Sequence, residues 1–242
     1  MFYFIPMTFN YVIILYILAA VVPAIFLMRY IYKHDTVEKE PPYLLWSLIV
    51  CGVAAALCSI ALEWLGNIIL DVSVSQDSRY YVLILAFLVV AAVEEGTKLF
   101  FLKRRTWYDL NFSHLFDGIV YSAFVSLGFA AFENIKYVFS YGISVALPRA
   151  LLAVPGHLGF SVFMGIFYGR AKLCANRGHK AGKVLNLIFG YLSAVFLHGF
   201  YDTCTMIGTT AANIVFYSFV AVMYIVVYIL IKKASLKDRP VY

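Results

Sequence analysis

The sequence predicts an all-α membrane protein: a single domain over residues 1–242, built as a bundle of about seven transmembrane helices. Three observations carry that prediction. The chain is 63% hydrophobic and only 13% charged, with a mean hydropathy of +0.86, whereas soluble domains carry about 25% charged residues. The apolar residues fall in uninterrupted runs of about 20 residues or more, the length a helix needs to cross a bilayer core. The basic residues collect between those runs, on one side of the chain's zigzag, which is how charge sets membrane orientation. Such a composition excludes a disordered chain, a nucleic-acid-binding domain and an ordinary water-soluble enzyme. The net charge of +6 is spread over loops rather than pooled in a nucleic-acid patch. Transmembrane strands are excluded as well, because they are about 10 residues long and alternate in polarity.

In chain order, the first run, 9–31, carries no charge before Arg29, so the N-terminus lacks the positive region of a cleavable signal peptide. Pro41-Pro42 opens the second run, 43–70, at the place in a helix where a missing N–H does no harm. The third and fourth runs are 80–102 and 115–139, and Asp117 is placed to cap the fourth or to neutralise a loop base. The fifth, 147–169, contains Pro148 and Val154-Pro155-Gly156, which predict a broken helix, or an eighth short one, near Pro155. A break at membrane depth requires protein or a water-filled cavity to cover the freed backbone, which marks it as a candidate site. Gly165-x-x-x-Gly169 in the same run suits close helix packing inside the bundle. The last runs are 184–206 and 211–231. Cys51, Cys58, Cys174 and Cys204 form no C-x-x-C pair, so neither a disulfide framework nor a thiolate zinc site is indicated.

Alternate loops hold 15 of the 19 basic residues, from Arg29, Lys33 and Lys39 to Lys232, Lys233, Lys237 and Arg239, while the opposite side holds only Arg79 and Arg149. The positive-inside rule then places the N-terminus outside and the C-terminus in the cytoplasm, as an odd number of spans requires.

Ionisable residues inside spans cost roughly 2.5–3.5 kcal/mol each on insertion scales, so those that persist are functional candidates. Spans three to six contain Glu94, Glu95 and Lys98; Glu133 and Lys136; His157; and His198 with Asp202. Lys98 lies four residues from Glu94 and three from Glu95, so it can pair with one carboxylate. Neighbouring residues point about 100° apart on a helix, which leaves the other glutamate facing a poorly solvated cavity, the environment of a general base. Glu133 and Tyr137 share a helix face, and Lys136 can pair with Glu133 or snorkel outward. His198 and Asp202 also share a face, so the carboxylate can orient the imidazole. The structural alternatives are ion pairs that tie helices together and satisfied core histidines. Glu63, beside Trp64 and close to Asp71, reads as structural, near the outer interface. Helix rise puts these groups in the outer half or middle of the bilayer, spread over roughly 10 Å of depth.

Three motifs in order, Glu94-Glu95-x-x-Lys98, Phe132-Glu133-x-x-x-Tyr137 and His198-x-x-x-Asp202, with Pro155-Gly156-His157 between the last two, resemble the PrsW family of intramembrane proteases. Asp35-Thr-Val-Glu38-Lys-Glu40-Pro41 looks like that family's charged, proline-containing lead-in to span two. The wider superfamily includes the CAAX prenyl endopeptidases. Their first motif is usually EE-x-x-x-R, and their second usually has a histidine where Phe129-x-x-x-Glu133 stands, so both departures here favour PrsW.

The resemblance implies a multi-pass enzyme of the bacterial plasma membrane. Its implied activity is the first, outward-side cut of a membrane-anchored anti-sigma factor, in a cell-envelope stress response. Its implied site is Glu94, Glu95, Glu133, His157, His198 and Asp202, supported by Lys98, Asn134 and Tyr137. Two hydrolytic routes fit these residues. In the favoured one a glutamate and a histidine activate water without metal, and the other histidine or Asn134 stabilises the oxyanion. In the second, His157, His198 and a carboxylate hold zinc while a remaining glutamate is the base; no H-E-x-x-H supports it. The alternatives of another class are a proton-coupled transporter, for which inverted repeats are missing, and a non-catalytic sensor.

Overall fold

A computed structural model describes residues 4–242; the first three residues of the predicted domain lie outside the described residues. Helices α1 (Phe4–His34) and α2 (Pro42–Ser73) are followed by a rod of three pieces: α3 (Tyr81–Ile84), a π-helical segment (Leu85–Ala91) and α4 (Ala92–Thr106). Then come α5 (Asp117–Tyr141), a short 3-10 turn (Ile143–Val145), α6 (Ala146–Leu151), α7 (Ala153–Asn176), α8 (Lys180–Ile207) and α9 (Thr210–Leu236). No strand occurs among the described residues; an isolated bridge joins His114 and Pro240. The all-α membrane bundle expected from the sequence is therefore observed.

Among the described residues six stretches are long and apolar enough to cross a bilayer, namely Tyr11–His34 of α1, α2, α5, the stretch Ile143–Asn176, α8 and α9. The seventh expected span, 80–102, is the three-piece rod, whose charged second half sets it apart from the others.

Helix α5 is the hub. Every residue from 116 to 130 is buried, so the helix has no polar face to show and needs partners all round. Small residues supply the room. A Cβ on Gly52 of α2 would lie 2.1 Å from the Val125 carbonyl oxygen, and one on Gly118 would lie 2.6 Å from atoms of Gly165 and Gly169. Helices α2 and α7 thus touch α5 backbone to backbone, and the Gly165-x-x-x-Gly169 pair does pack inside the bundle. The outer faces carry exposed Phe26, Trp46, Val50 and Ile69, as lipid contact requires.

The break in the fifth span falls at Leu152, three residues before Pro155. Pro155 itself sits in the first turn of α7, where its missing N–H is tolerated. The Tyr224 hydroxyl on α9 lies 2.9 and 3.0 Å from the carbonyl oxygens of Leu151 and Leu152; the Leu152 carbonyl already accepts from the Gly156 N–H at 3.0 Å, so the hydroxyl satisfies the Leu151 carbonyl that Pro155 leaves without a donor.

Candidate active site

The charged side chains of four elements meet at one end of the bundle. The rod brings Glu94, Glu95 and Lys98 from the first two turns of α4, α5 brings Glu133 from its C-terminal half, α7 brings His157 from its second turn, and α8 brings His198 and Asp202. One ligand atom from each of Glu94, Glu95, His157 and His198 lies within 4.8 Å of the others. The roughly 10 Å spread of depth expected from helix rise is absent from this group, because hydropathy fixes each span's ends separately, whereas the break at Leu152 and the π segment set the true register.

Lys98 corrects one expectation. Its Nζ donates to Glu94 Oε2 at 3.0 Å and to Glu95 Oε1 at 2.8 Å, so it pairs with both carboxylates, not one. The four-carbon stem spans the angle between adjacent helical positions. The ammonium also lies 3.2 Å from His157 Nδ1 and 4.0 Å from the centre of the Phe129 ring. What separates the two glutamates is position. Glu94 lines a cavity of about 570 Å³ together with Glu133, His157, His198 and Asp202. Glu95 is fully buried behind it, with Oε1 against His198 Nδ1 at 2.9 Å and with Oε2 buried and unpartnered.

Each imidazole is oriented by a carboxylate. His157 Nε2 is 3.0 Å from Glu133 Oε2, and the Ser126 hydroxyl donates to the His157 carbonyl at 2.9 Å. His198 Nε2 is 3.4 Å from Asp202 Oδ2, as the i, i+4 spacing predicts, and the ring stacks on Phe160 with centroids 4.8 Å apart. Phe160, Phe129 and the two imidazoles make a partly apolar wall that keeps the charges poorly hydrated.

One supporting residue stands differently from expectation, and one open choice is settled. Asn134 is fully buried, accepts from Arg149 Nε at 2.6 Å and donates to the Ala20 carbonyl at 3.2 Å, so its amide is committed to structure and is not turned to the cavity as an oxyanion donor. Lys136 lines the cavity, but Glu133 is paired instead with Arg149, whose Nη2 donates at 2.7 Å. Arg149 also lies 3.8 Å over the Tyr137 ring, so the Glu133, Asn134 and Tyr137 side chains all grip this one guanidinium. In the sequence Arg149 reads as a lone outer base; its only signal is its place beside the proline break. Glu63 is a second omission. It lines the cavity rather than standing apart near Asp71 at the interface.

A family model of PrsW family intramembrane metalloproteases matches residues 40–231. The chain belongs to the PrsW family. Protease PrsW of Geobacillus kaustophilus is 34% identical over 184 residues, 76% of each chain. Protease PrsW of Bacillus subtilis is 32% identical over 199 residues, 82% of this chain and 85% of its own. That of Oceanobacillus iheyensis is 31% identical over 218 residues, 90% and 94%. No solved structure matches the chain. This PrsW-family chain is thus a multi-pass membrane peptidase, and both the spans and the family agree on that.

The family's description as metalloproteases asks whether these residues suit an ion. Two imidazole nitrogens and two carboxylates, one with a buried and unpartnered oxygen, are a donor set that zinc accepts. The Lys98 ammonium already supplies a positive charge to three of the four.

Proposed function

We propose that this PrsW-family protease makes the first, extracytoplasmic-side cut in a membrane-anchored anti-sigma factor during an envelope-stress response. The observation that carries the reading is the cavity's place. It is lined from the C-terminal halves of α2, α5 and α8 and the N-terminal parts of α7 and α9, at the end of the bundle remote from the basic loops. With the N-terminus outside and the C-terminus in the cytoplasm, that end faces outward, where such a substrate exposes its extracytoplasmic segment. A reporter fused after Tyr242 reads the cytoplasmic side under this orientation; an external signal there overturns it.

Glu94 is the proposed general base. It takes a proton from the water that attacks the scissile carbonyl and returns it to the leaving amine. Its place in the cavity wall favours it over Glu95, which orients His198 from behind. His198, whose Nε2 lies beside Asp202 in the cavity wall, stabilises the oxyanion. A zinc ion held by His157, His198 and Glu95 would supply Lewis acidity at the carbonyl.

The test is cleavage of a tagged anti-sigma factor by the purified protein, with and without chelator, alongside metal analysis. Glu94→Gln, Glu95→Gln and His198→Asn should each abolish the cut at wild-type protein level, while Cys204→Ser should not. Wild-type cleavage by both glutamate variants sinks the catalytic assignment. Activity that survives exhaustive chelation in metal-free protein supports the glutamate route; a stoichiometric metal that tracks activity overturns it.

A further inference from the structure

A second cavity, of about 240 Å³, opens between α5, α7 and α9 at the basic end of the bundle. Its rim carries three cations, Arg170 from α7 and Lys233 and Lys237 from the end of α9, and its walls are apolar, among them Phe116, Ile119 and Ile166. Among the described residues no carboxylate lines it. Among them, too, these three bases form no ion pair, as is true of most of the loop bases. The nearby Asp238 is not in that lining, and its Oδ1 accepts from the backbone N–H groups of Phe116 and Arg239.

The α9 terminus alone accounts for part of this. A lysine in the last turn complements the negative end of the helix dipole, which covers Lys233. It does not cover Arg170, which lies well inside α7, nor the apolar cavity beneath all three bases. In a bilayer the ends of the spans lie at headgroup level, and basic pockets between transmembrane helices suit anionic headgroups. The volume equals on the order of eight waters, room for a phosphate and its glycerol.

We propose that the cleft between α5, α7 and α9 binds one anionic phospholipid, with its phosphate among Arg170, Lys233 and Lys237 and its acyl chains against the half-buried Leu115, Ile166 and Leu230. The charge complementarity selects an acidic lipid over a zwitterionic one, and the apolar wall selects a lipid over a free anion. This site is separate from the active-site cavity and independent of the proteolytic reading.

Native mass spectrometry of the full-length protein in neutral detergent tests it, with phosphatidylglycerol, phosphatidylcholine and inorganic phosphate as probes. The wild type should retain one phosphatidylglycerol in preference to phosphatidylcholine. The triple variant R170Q/K233Q/K237Q should lose that retention by about tenfold or more. R104Q/R177Q/K180Q removes the same charge from exposed positions outside the cleft and should keep it. Single R170Q, checked for wild-type thermal unfolding, gives a weaker loss of the same kind if the triple variant fails to fold. Equal losses in both triple variants would reduce the effect to net charge and overturn the proposal. Equal retention of the two lipids, or protection by inorganic phosphate as good as by phosphatidylglycerol, would overturn it as well.

Discussion

One oxygen of Glu133 accepts from two donors on different helices, Arg149 at 2.7 Å and His157 at 3.0 Å. With Nε2–H committed to Glu133, His157 turns the lone pair of Nδ1 towards Lys98 and the Glu94–Glu95 pair. Arg149 is therefore a positioning residue: it holds the carboxylate that sets the imidazole's orientation. Arg149→Gln should lower kcat about 10- to 100-fold with little change in KM. Arg149→Lys, which keeps the charge and loses the fork to Glu133 and Asn134, should recover only part. Steady-state kinetics on a tagged substrate decide it, and full rescue by lysine, or a change confined to KM, counts against a positioning role. Residues such as Glu94, His157 and His198 were legible in the sequence because an ionisable group inside an apolar run is conspicuous. Arg149 and Glu63 lie where charges are ordinary, near the ends of runs, so apart from Arg149's place beside the proline break little in the sequence separates them from solvated residues. The double pairing of Lys98 was hidden for a different reason: helical angles describe where side chains start, not where a long one ends.

At the scale of elements, the two interruptions that shape the site differ in how plainly the sequence announces them. The break in the fifth span arises from Pro148 and Pro155, and only its position, Leu152, needed the structure. Pro155 takes away the N–H that would have reached the Leu151 carbonyl, and the Tyr224 hydroxyl, from a residue 73 positions away, donates to it instead. The π segment Leu85–Ala91 has no comparable signature, since no proline or glycine lies within it. Its packing explains its place. Phe87 lies where a Cβ on Gly199 would approach within 2.5 Å, so α8 comes close to the rod one residue after His198. Such π turns in functional helices reset the register of the turns beyond them, here the Glu94–Glu95 pair that His198 meets.

The whole molecule separates its charge by end. The cavity end holds the buried ionic cluster, and the other end holds most loop bases together with a second set of buried acids, Asp35, Glu40 and Asp117. The seven-run pattern made this division legible, because span length and loop charge are set by the bilayer itself; the burial of Asp35 and Glu40 in the lead-in segment, by contrast, depends on tertiary packing. Glu40 is 4% exposed, accepts from the Tyr121 hydroxyl at 2.7 Å on Oε1 and has no partner on Oε2. Burial, reinforced by the neighbouring Asp117 and Asp35, pushes its pKa up from an ordinary 4.5 to about 8. Burial likewise raises Asp35 to about 6. A raised carboxyl pKa means the folded protein binds a proton that the unfolded chain has released, so the stabilising contribution is complete below the unfolded value and is lost as pH rises through the folded one. For Glu40 that window runs from about 4.5 to about 8. Glu40→Gln keeps the acceptor for Tyr121 and removes the titration. Thermal unfolding in detergent at about pH 6 and about pH 9 should therefore show the wild type losing more stability than the variant across the interval. Asp35 titrates in both proteins, so the difference between their two slopes isolates Glu40; parallel slopes would mean that Glu40 is already ionised and hydrated in the folded state.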